Sequence, residues 1–164
     1  MATLELWMNA AAAAAEEVAS QALGLESSAT TDESAEPSGF GAFVALSGGD
    51  DKVQVGVMLD QAGGEALARA LLGMPEDEAF GSEGDLADAF GEIVNMVAGG
   101  VKTRMNEQVP GIQLGLPLCV KSLISPAHAI QTSRQLMIGS SRAAVIVLSH
   151  GSSPPRSVVR HAAE

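Results

Sequence analysis

Two polar residues near the middle of the chain, Glu92 and Asn95, have types and a spacing that suit chemistry at a surface. They interrupt residues 91–99, which are otherwise small or apolar. In a helix, residues three apart are neighbours on one face. A carboxylate pairs with cations, and a carboxamide both accepts and donates hydrogen bonds, so the pair can orient a water molecule and bind a partner's cation. The spacing alone is a weak motif, because polar residues on an exposed helix face are normally only solvated.

The element that must carry this pair is a helix predicted over residues 83–106. Ser82 followed by Asp85 resembles a capping box in which Asp takes the place of the usual Glu. Pro110 and Gly111 end the helical pattern. The sequence therefore predicts a long helix with a defined start.

The apolar positions of this helix predict which side faces the core. Five of them fall within an arc of roughly 80°, since each residue advances by about 100°: Leu86, Phe90, Ile93, Val97 and Val101. Asn95 then lies roughly 180° from Leu86, at the centre of the solvent face, and Glu92 lies about 60° from Asn95. Three further residues continue this face: Asp88, Gly99 and Lys102.

Three glycines, Gly91, Gly99 and Gly100, lie inside the predicted helix. Each costs about 1 kcal/mol of helix stability relative to alanine. Close approach of another backbone is one explanation. Tight packing against the sheet, or a frayed end after Ala98, is the other, and the glycines alone do not decide between them.

The rest of the chain predicts one domain over residues 1–150, followed by a tail at 151–164. Helices are expected at residues 3–23 and, shorter, at 60–73, each ended by a glycine. Residues 24–38 are polar and acidic without periodicity, which predicts a flexible linker.

Alternation at period two predicts strands, and hence an α+β fold with a mostly antiparallel sheet packed against the helices. A hairpin is expected through residues 40–59, with its turn at 48–51. Further strands are expected at 112–123, 134–141 and 142–150, and Pro117 predicts an edge or a bulge in the first of these.

Composition excludes several classes of function. The net charge of −11 argues against nucleic acids and anionic membranes as partners. No segment is apolar for the roughly 20 residues of a membrane span, and the alanine run at 10–15 lacks the basic region of a signal peptide. Cys119 is the only cysteine, so no internal disulfide forms, and its apolar surroundings predict an unreactive thiol. We expect a cytoplasmic protein.

The helix sequence resembles the signature helix of the CheX branch of the CheC/FliY/CheX phosphatases. The resemblance covers residues 91–102 and includes Glu92, Asn95, Met96 and Lys102. Gly115, Leu116 and Pro117 are similar to a Gly-x-Pro that opens a strand in this family, and the order of elements agrees over residues 1–150. CheC carries two such helices and this chain only one, which favours the CheX type. Gly100 departs from the Asn frequent in relatives.

The resemblance implies hydrolysis of the aspartyl phosphate on a CheY-like receiver domain of chemotaxis or two-component signalling. Asn95 would position the attacking water, and Glu92 would pair with the active-site lysine of the receiver. Asp88, Gly99 and Lys102 would contact that partner. The chain would need no cofactor of its own, because the receiver brings the Mg²⁺.

Two other hypotheses remain open from the sequence. The domain would bind a receiver without catalysis, or it would be a structural dimeric subunit whose helix face is only solvated. Relatives of this type dimerise, and sheet edges pair readily, so a homodimer is plausible, but the sequence decides neither whether this chain forms one nor through which edge.

Overall fold

In the part of the chain that the structure describes, an antiparallel sheet of seven strands packs against three helices. The computed structural model describes residues 2–30, 39–121 and 129–150. The helices are α1 (Leu4–Gln21), α2 (Gln61–Leu72) and α3 (Glu83–Met105). The strands are β1 (Ser27–Ala29), β2 (Phe40–Gly48), β3 (Asp51–Leu59), β4 (Gln113–Leu114), β5 (Leu118–Val120), β6 (Ala129–Ile138) and β7 (Ser141–His150). The predicted α+β fold is confirmed. None of the helices described here has an apolar stretch that could span a bilayer.

The strands follow the order β1-β6-β7-β3-β2-β4, and β5 also pairs with β2. The predicted hairpin is β2 and β3, which are joined by a two-residue turn at Gly49 and Asp50. Gly49 has φ of 56°, a left-handed conformation that favours glycine at this position of a tight turn. Every strand pairing among the described residues is antiparallel, and the pairs β2–β3 and β6–β7 are joined directly by tight turns.

Alternate residues of the central strands face the helices and form the main core. On β2 and β3 these include Val44 and Val55, which are paired across the strands and completely buried. The opposite face carries a second apolar cluster that includes Phe43 and Ile146. A side chain at Gly56 would collide with the ring of Phe43. The glycine therefore leaves room for this ring to pack on the sheet.

The long helix α3 is the centre of the helical layer, because it contacts α1, α2 and β2. The hydroxyl of Ser82 accepts a hydrogen bond from the Asp85 N–H at 3.1 Å, as the predicted cap requires. Phe90 is completely buried, and its ring meets that of Phe40 edge to face at 4.8 Å between centroids. The predicted helix over 83–106 is therefore confirmed to within one residue.

The predicted linker at 24–38 is wrong in part. Ser27–Ala29 form the edge strand β1, which pairs with the end of β6. The Gly139 N–H also donates to the carbonyl of Glu26 at 2.8 Å. The sequence pattern does not show this strand, because it forms by hydrogen bonding to the outer edge of β6, which is remote in sequence. Residues 31–38 of the predicted linker and the predicted tail at 151–164 lie outside the described residues.

The strand predicted over 112–123 is wrong as one element. It is two short strands, β4 and β5, that both pair with β2 and are separated at Gly115, Leu116 and Pro117. Pro117 has no N–H to continue a ladder, which explains the break. The strand predicted at 134–141 begins earlier, at Ala129, and its turn to β7 lies at Gly139, where φ is 59°.

The three helix glycines have different environments. Gly100 lies against α1, because a Cβ atom there would be 2.9 Å from the Cβ of Ala14. A Cβ atom at Gly91 would be 3.4 Å from the Cβ of Pro117, an ordinary contact distance. A Cβ atom at Gly99 would meet no atom within 4 Å. Tight packing thus explains Gly100, whereas the space beside Gly99 is open.

Alanine substitutions at Gly99 and Gly100 should change the free energy of unfolding in opposite directions. We expect Gly99→Ala to raise the free energy of unfolding by up to about 1 kcal/mol, through helix propensity alone. Gly100→Ala should lower it by about 1–3 kcal/mol, because α1 must move away. Equilibrium unfolding in urea, followed by the fluorescence of the buried Trp7, measures both. Equal effects of the two variants would contradict the close packing of α1 on α3.

Candidate functional site

The exposed strip of α3 carries the candidate pair. Glu92 is exposed and Asn95 is half-buried. The five residues predicted to face the core are all buried, as are Val94 and Ala98, because α1, α2 and β2 all pack against the helix. The strip is therefore narrower than the sequence predicts, and Asn95 lies between solvent and protein rather than at the centre of a free face.

Neither candidate side chain is used by the fold. Within the described part of the chain, Glu92 and Asn95 have no hydrogen-bond or ion-pair partner on their side chains. Their positions are nevertheless fixed, since both lie in the middle of a 23-residue helix with buried neighbours on either side. The backbone that carries the carboxylate and the carboxamide is thus fixed, and both groups are available to a partner.

One flank of the strip is formed by the segment between β4 and β5. Pro117 lies against Gly91, and the thiol of Cys119 donates to the carbonyl of Ala87 at 3.2 Å. Asn95 is one helical turn beyond Gly91 on the same line of the helix. Leu116, next to this contact, is 91% exposed. The strip is therefore bordered here by a fixed segment with an exposed apolar side chain.

The other flank is a cleft of about 520 Å³ between α3, the end of α2 and the segment that joins them. Its floor is apolar and includes Leu72 and Phe80. Glu92 and Asp88 line it from α3, so the cleft is continuous with the strip. Sequence patterns did not reveal this cleft, and the available signal was Leu72 at the end of a predicted helix, followed by the acidic residues 76–78.

The three residues predicted to bind a partner lie along the same helix. Asp88 is exposed and lines the cleft with Glu92. Gly99 is one turn beyond Asn95, with open space where a side chain would be. Lys102 is exposed towards the other end of the helix. The five predicted site residues thus form one strip, with carboxylates at one end and an ammonium group at the other.

Cys119 is half-buried beside this strip. Burial raises the pKa of its thiol, and the nearby negative charge of Asp88 raises it further. Both causes disfavour the thiolate, which is the reactive form. The predicted unreactive thiol is therefore consistent with its surroundings. Among the described residues, no group of three or more His, Cys, Asp or Glu side chains is arranged to hold a metal ion.

The family model described as Chemotaxis phosphatase CheX matches residues 40–138, which is more than half of the chain. The chain belongs to the CheX family. The match begins at the first residue of β2 and ends at the last residue of β6, so it contains the hairpin, α2 and α3. It is narrower than the predicted resemblance over residues 1–150, because α1 and β7 lie outside it. No curated protein matches this CheX-family chain significantly.

Solved structures extend the likeness to most of the chain. CheX from Vibrio vulnificus is 17% identical with a TM-score of 0.73, over 87% of this chain and 95% of that one. CheX from Desulfovibrio desulfuricans is 17% identical with a TM-score of 0.74, over 89% and 99%. CheX in a CheX–CheY–BeF3–Mg²⁺ complex from Borrelia burgdorferi is 16% identical with a TM-score of 0.64, over 89% and 96%. At these identities the likeness establishes the fold.

The pKa of Cys119 should respond to the charge beside it. We expect Asp88→Asn to lower the pKa of the thiol, because the substitution removes a negative charge that disfavours the thiolate. The pKa should stay above that of a free cysteine, since burial is the larger cause. The pH dependence of thiol alkylation measures this directly, as the chain has a single cysteine. Asp77→Asn is the control, and an unchanged or higher pKa in Asp88→Asn would contradict the assignment.

Proposed function

We propose that this CheX-family chain hydrolyses the aspartyl phosphate of a CheY-like receiver domain. The family match supports the class of activity, and the complex from Borrelia burgdorferi contains a CheX together with a CheY. The observation that carries the proposal is the strip of α3, where a helix with buried neighbours presents Glu92 and Asn95, whose side chains have no partners within the described residues. The proposed reaction takes place in the cytoplasm.

Asn95 positions the attacking water in this proposal. Its carboxamide oxygen accepts a hydrogen bond from the water, and the amide cannot act as a strong base. Phosphoryl transfer depends mainly on placing the attacking water in line with the leaving group and on stabilising the charge on the phosphoryl oxygens. The receiver supplies its own Mg²⁺ and lysine for the second task. The half-buried position of Asn95 supports the first, because it restricts where the amide can point.

Glu92 docks the partner in this proposal. It is exposed and one turn before Asn95, so it can reach the lysine of the receiver while Asn95 approaches the phosphoryl group. A hydrogen bond between two charged groups is stronger than a neutral one and fixes direction. Asp88 adds negative charge on the same side, Gly99 leaves room for the partner beyond Asn95, and Lys102 contacts the partner at the other end.

Substitution of Asn95 tests catalysis. We expect Asn95→Ala to lower kcat by roughly 100-fold or more while KM changes little, because misplacement of the attacking group costs about that factor. The measurement is the release of phosphate from a panel of receiver domains of the same organism, each phosphorylated beforehand. Asn106→Ala, at the exposed end of α3, is the matched control. A parent chain that binds a receiver without hydrolysing it would favour the non-catalytic binding module instead.

Substitution of Glu92 tests docking. Loss of a hydrogen bond to a charged group corresponds to roughly 1.5–3 kcal/mol, so Glu92→Ala should raise KM by about 10- to 100-fold. The turnover of bound receiver should be retained. Glu107→Ala, which removes an exposed carboxylate just beyond α3, should change neither constant. A fall in kcat at unchanged KM in Glu92→Ala would contradict a docking role.

A further inference from the structure

The cleft beside Glu92 has an unusual apolar floor for a surface so rich in acid. Leu72, the last residue of α2, is 53% exposed, whereas Leu67 of the same helix is buried. Six apolar residues line the cleft: Leu71, Leu72, Met74, Ala79, Phe80 and Ala89. An apolar side chain exposed inside a concave depression offers a place for an apolar group of another molecule.

The walls of the cleft are fixed before any partner arrives. Gly73 ends α2 in a left-handed conformation, with φ of 65°, and turns the chain towards α3. Arg69 then holds the connecting segment, since its Nε donates to the carbonyl of Glu78 at 2.8 Å and its guanidinium lies 5.3 Å from the centre of the Phe80 ring. A partner therefore meets a formed depression, and its binding need not order this segment.

The charged side chains that line the cleft are all acidic, and the guanidinium of Arg69 lies next to it against Phe80. Four carboxylates line the cleft: Glu78, Asp85, Asp88 and Glu92. None of the described lining residues is Lys or Arg, and none of these four carboxylates forms an ion pair within the described ranges. A complementary ligand therefore presents an apolar side chain flanked by Lys or Arg.

We propose that this cleft is a second docking site for the receiver domain, filled by an apolar side chain that basic residues flank on the receiver's surface. The inference rests on the proposed function, because Glu92 belongs both to the cleft and to the strip that would engage the phosphorylated aspartate. A receiver bound at Glu92 and Asn95 must also cover the part of the cleft that adjoins Asp88. The occupant of the cleft is then part of the same partner.

Such a site gives the reaction its selectivity among receivers. The groups that the strip addresses, a phosphoryl group and a lysine, are common to receivers in general and cannot separate one from another. An apolar contact framed by four carboxylates does so, because a receiver with an acidic or bulky residue at the matching place is repelled.

The experiment compares Leu72→Ser with Ile130→Ser in steady-state dephosphorylation of the receiver that the parent chain hydrolyses. Ile130 is a matched control, because it is 62% exposed and lies on β6, away from the cleft. We expect Leu72→Ser to raise KM by about tenfold at unchanged kcat, as the burial of one apolar side chain predicts. Ile130→Ser should leave both constants unchanged. An unaltered KM in Leu72→Ser overturns the inference.

A second variant guards against misfolding of the first. Asp88→Lys reverses one charge of the cleft on the exposed side of α3. It should weaken receiver binding relative to the parent chain, and the effect should become smaller at high salt. Asp77→Lys makes the same change of charge outside the cleft and should have a smaller effect. Equal effects of the two lysine variants at low and high salt overturn the proposed role of the cleft.

Direct binding separates this inference from the proposed function. The dissociation constant of a beryllofluoride-loaded, Mg²⁺-bound receiver is measured for the parent and for Leu72→Ser. Weaker binding by Leu72→Ser supports the cleft even if no hydrolysis is found. Equal binding overturns the cleft and leaves the phosphatase proposal in place. If no receiver binds the parent, or if Leu72→Ser instead dissociates a homodimer of the chain, the receiver is not the occupant and the inference fails.

Discussion

The close packing around α3 is the constraint on which the rest of the site depends. Gly100 allows α1 to approach to the distance of a Cβ contact with Ala14, while Phe90 and Phe40 join the helix to the sheet. With α2 on a further side, only a narrow strip of the helix is left to solvent. The fold therefore selects which polar groups a partner can reach, and Glu92 and Asn95 are among the few.

Rigidity of this strip matters because the proposed chemistry is shared between two proteins. The receiver would bring the phosphoryl group, the Mg²⁺ and a lysine, so this chain contributes geometry rather than reactive groups. A carboxamide on a mobile loop would lose orientational freedom at each encounter, whereas Asn95 is half-buried in the middle of a long helix. The order that the reaction needs is established when the core folds.

The sequence predicted what depends on local periodicity. The predictions of the start of α3 at Ser82 and of its buried stripe were correct, because a cap and an apolar repeat depend on residues that are close in sequence. Features that depend on distant segments were not predicted. Asn95 is less exposed than its angle on the helix implies, and β1 pairs with a strand about 110 residues away. The cleft exists only because the end of α2 lies beside α3.

The distribution of charge on α3 has more than one origin. Glu83 and Asp85 in the first turn stabilise the helix, because their negative charge interacts with the positive end of the helix dipole. This effect extends over about one turn. Asp88 and Glu92 lie beyond that reach, so helix stability does not account for them. Beside an anionic phosphoryl group they would repel the partner unless its Mg²⁺ and lysine offset the charge. If a receiver docks here as proposed, this surface would favour a receiver that carries its metal over one that has lost it, and docking would be coupled to readiness for hydrolysis.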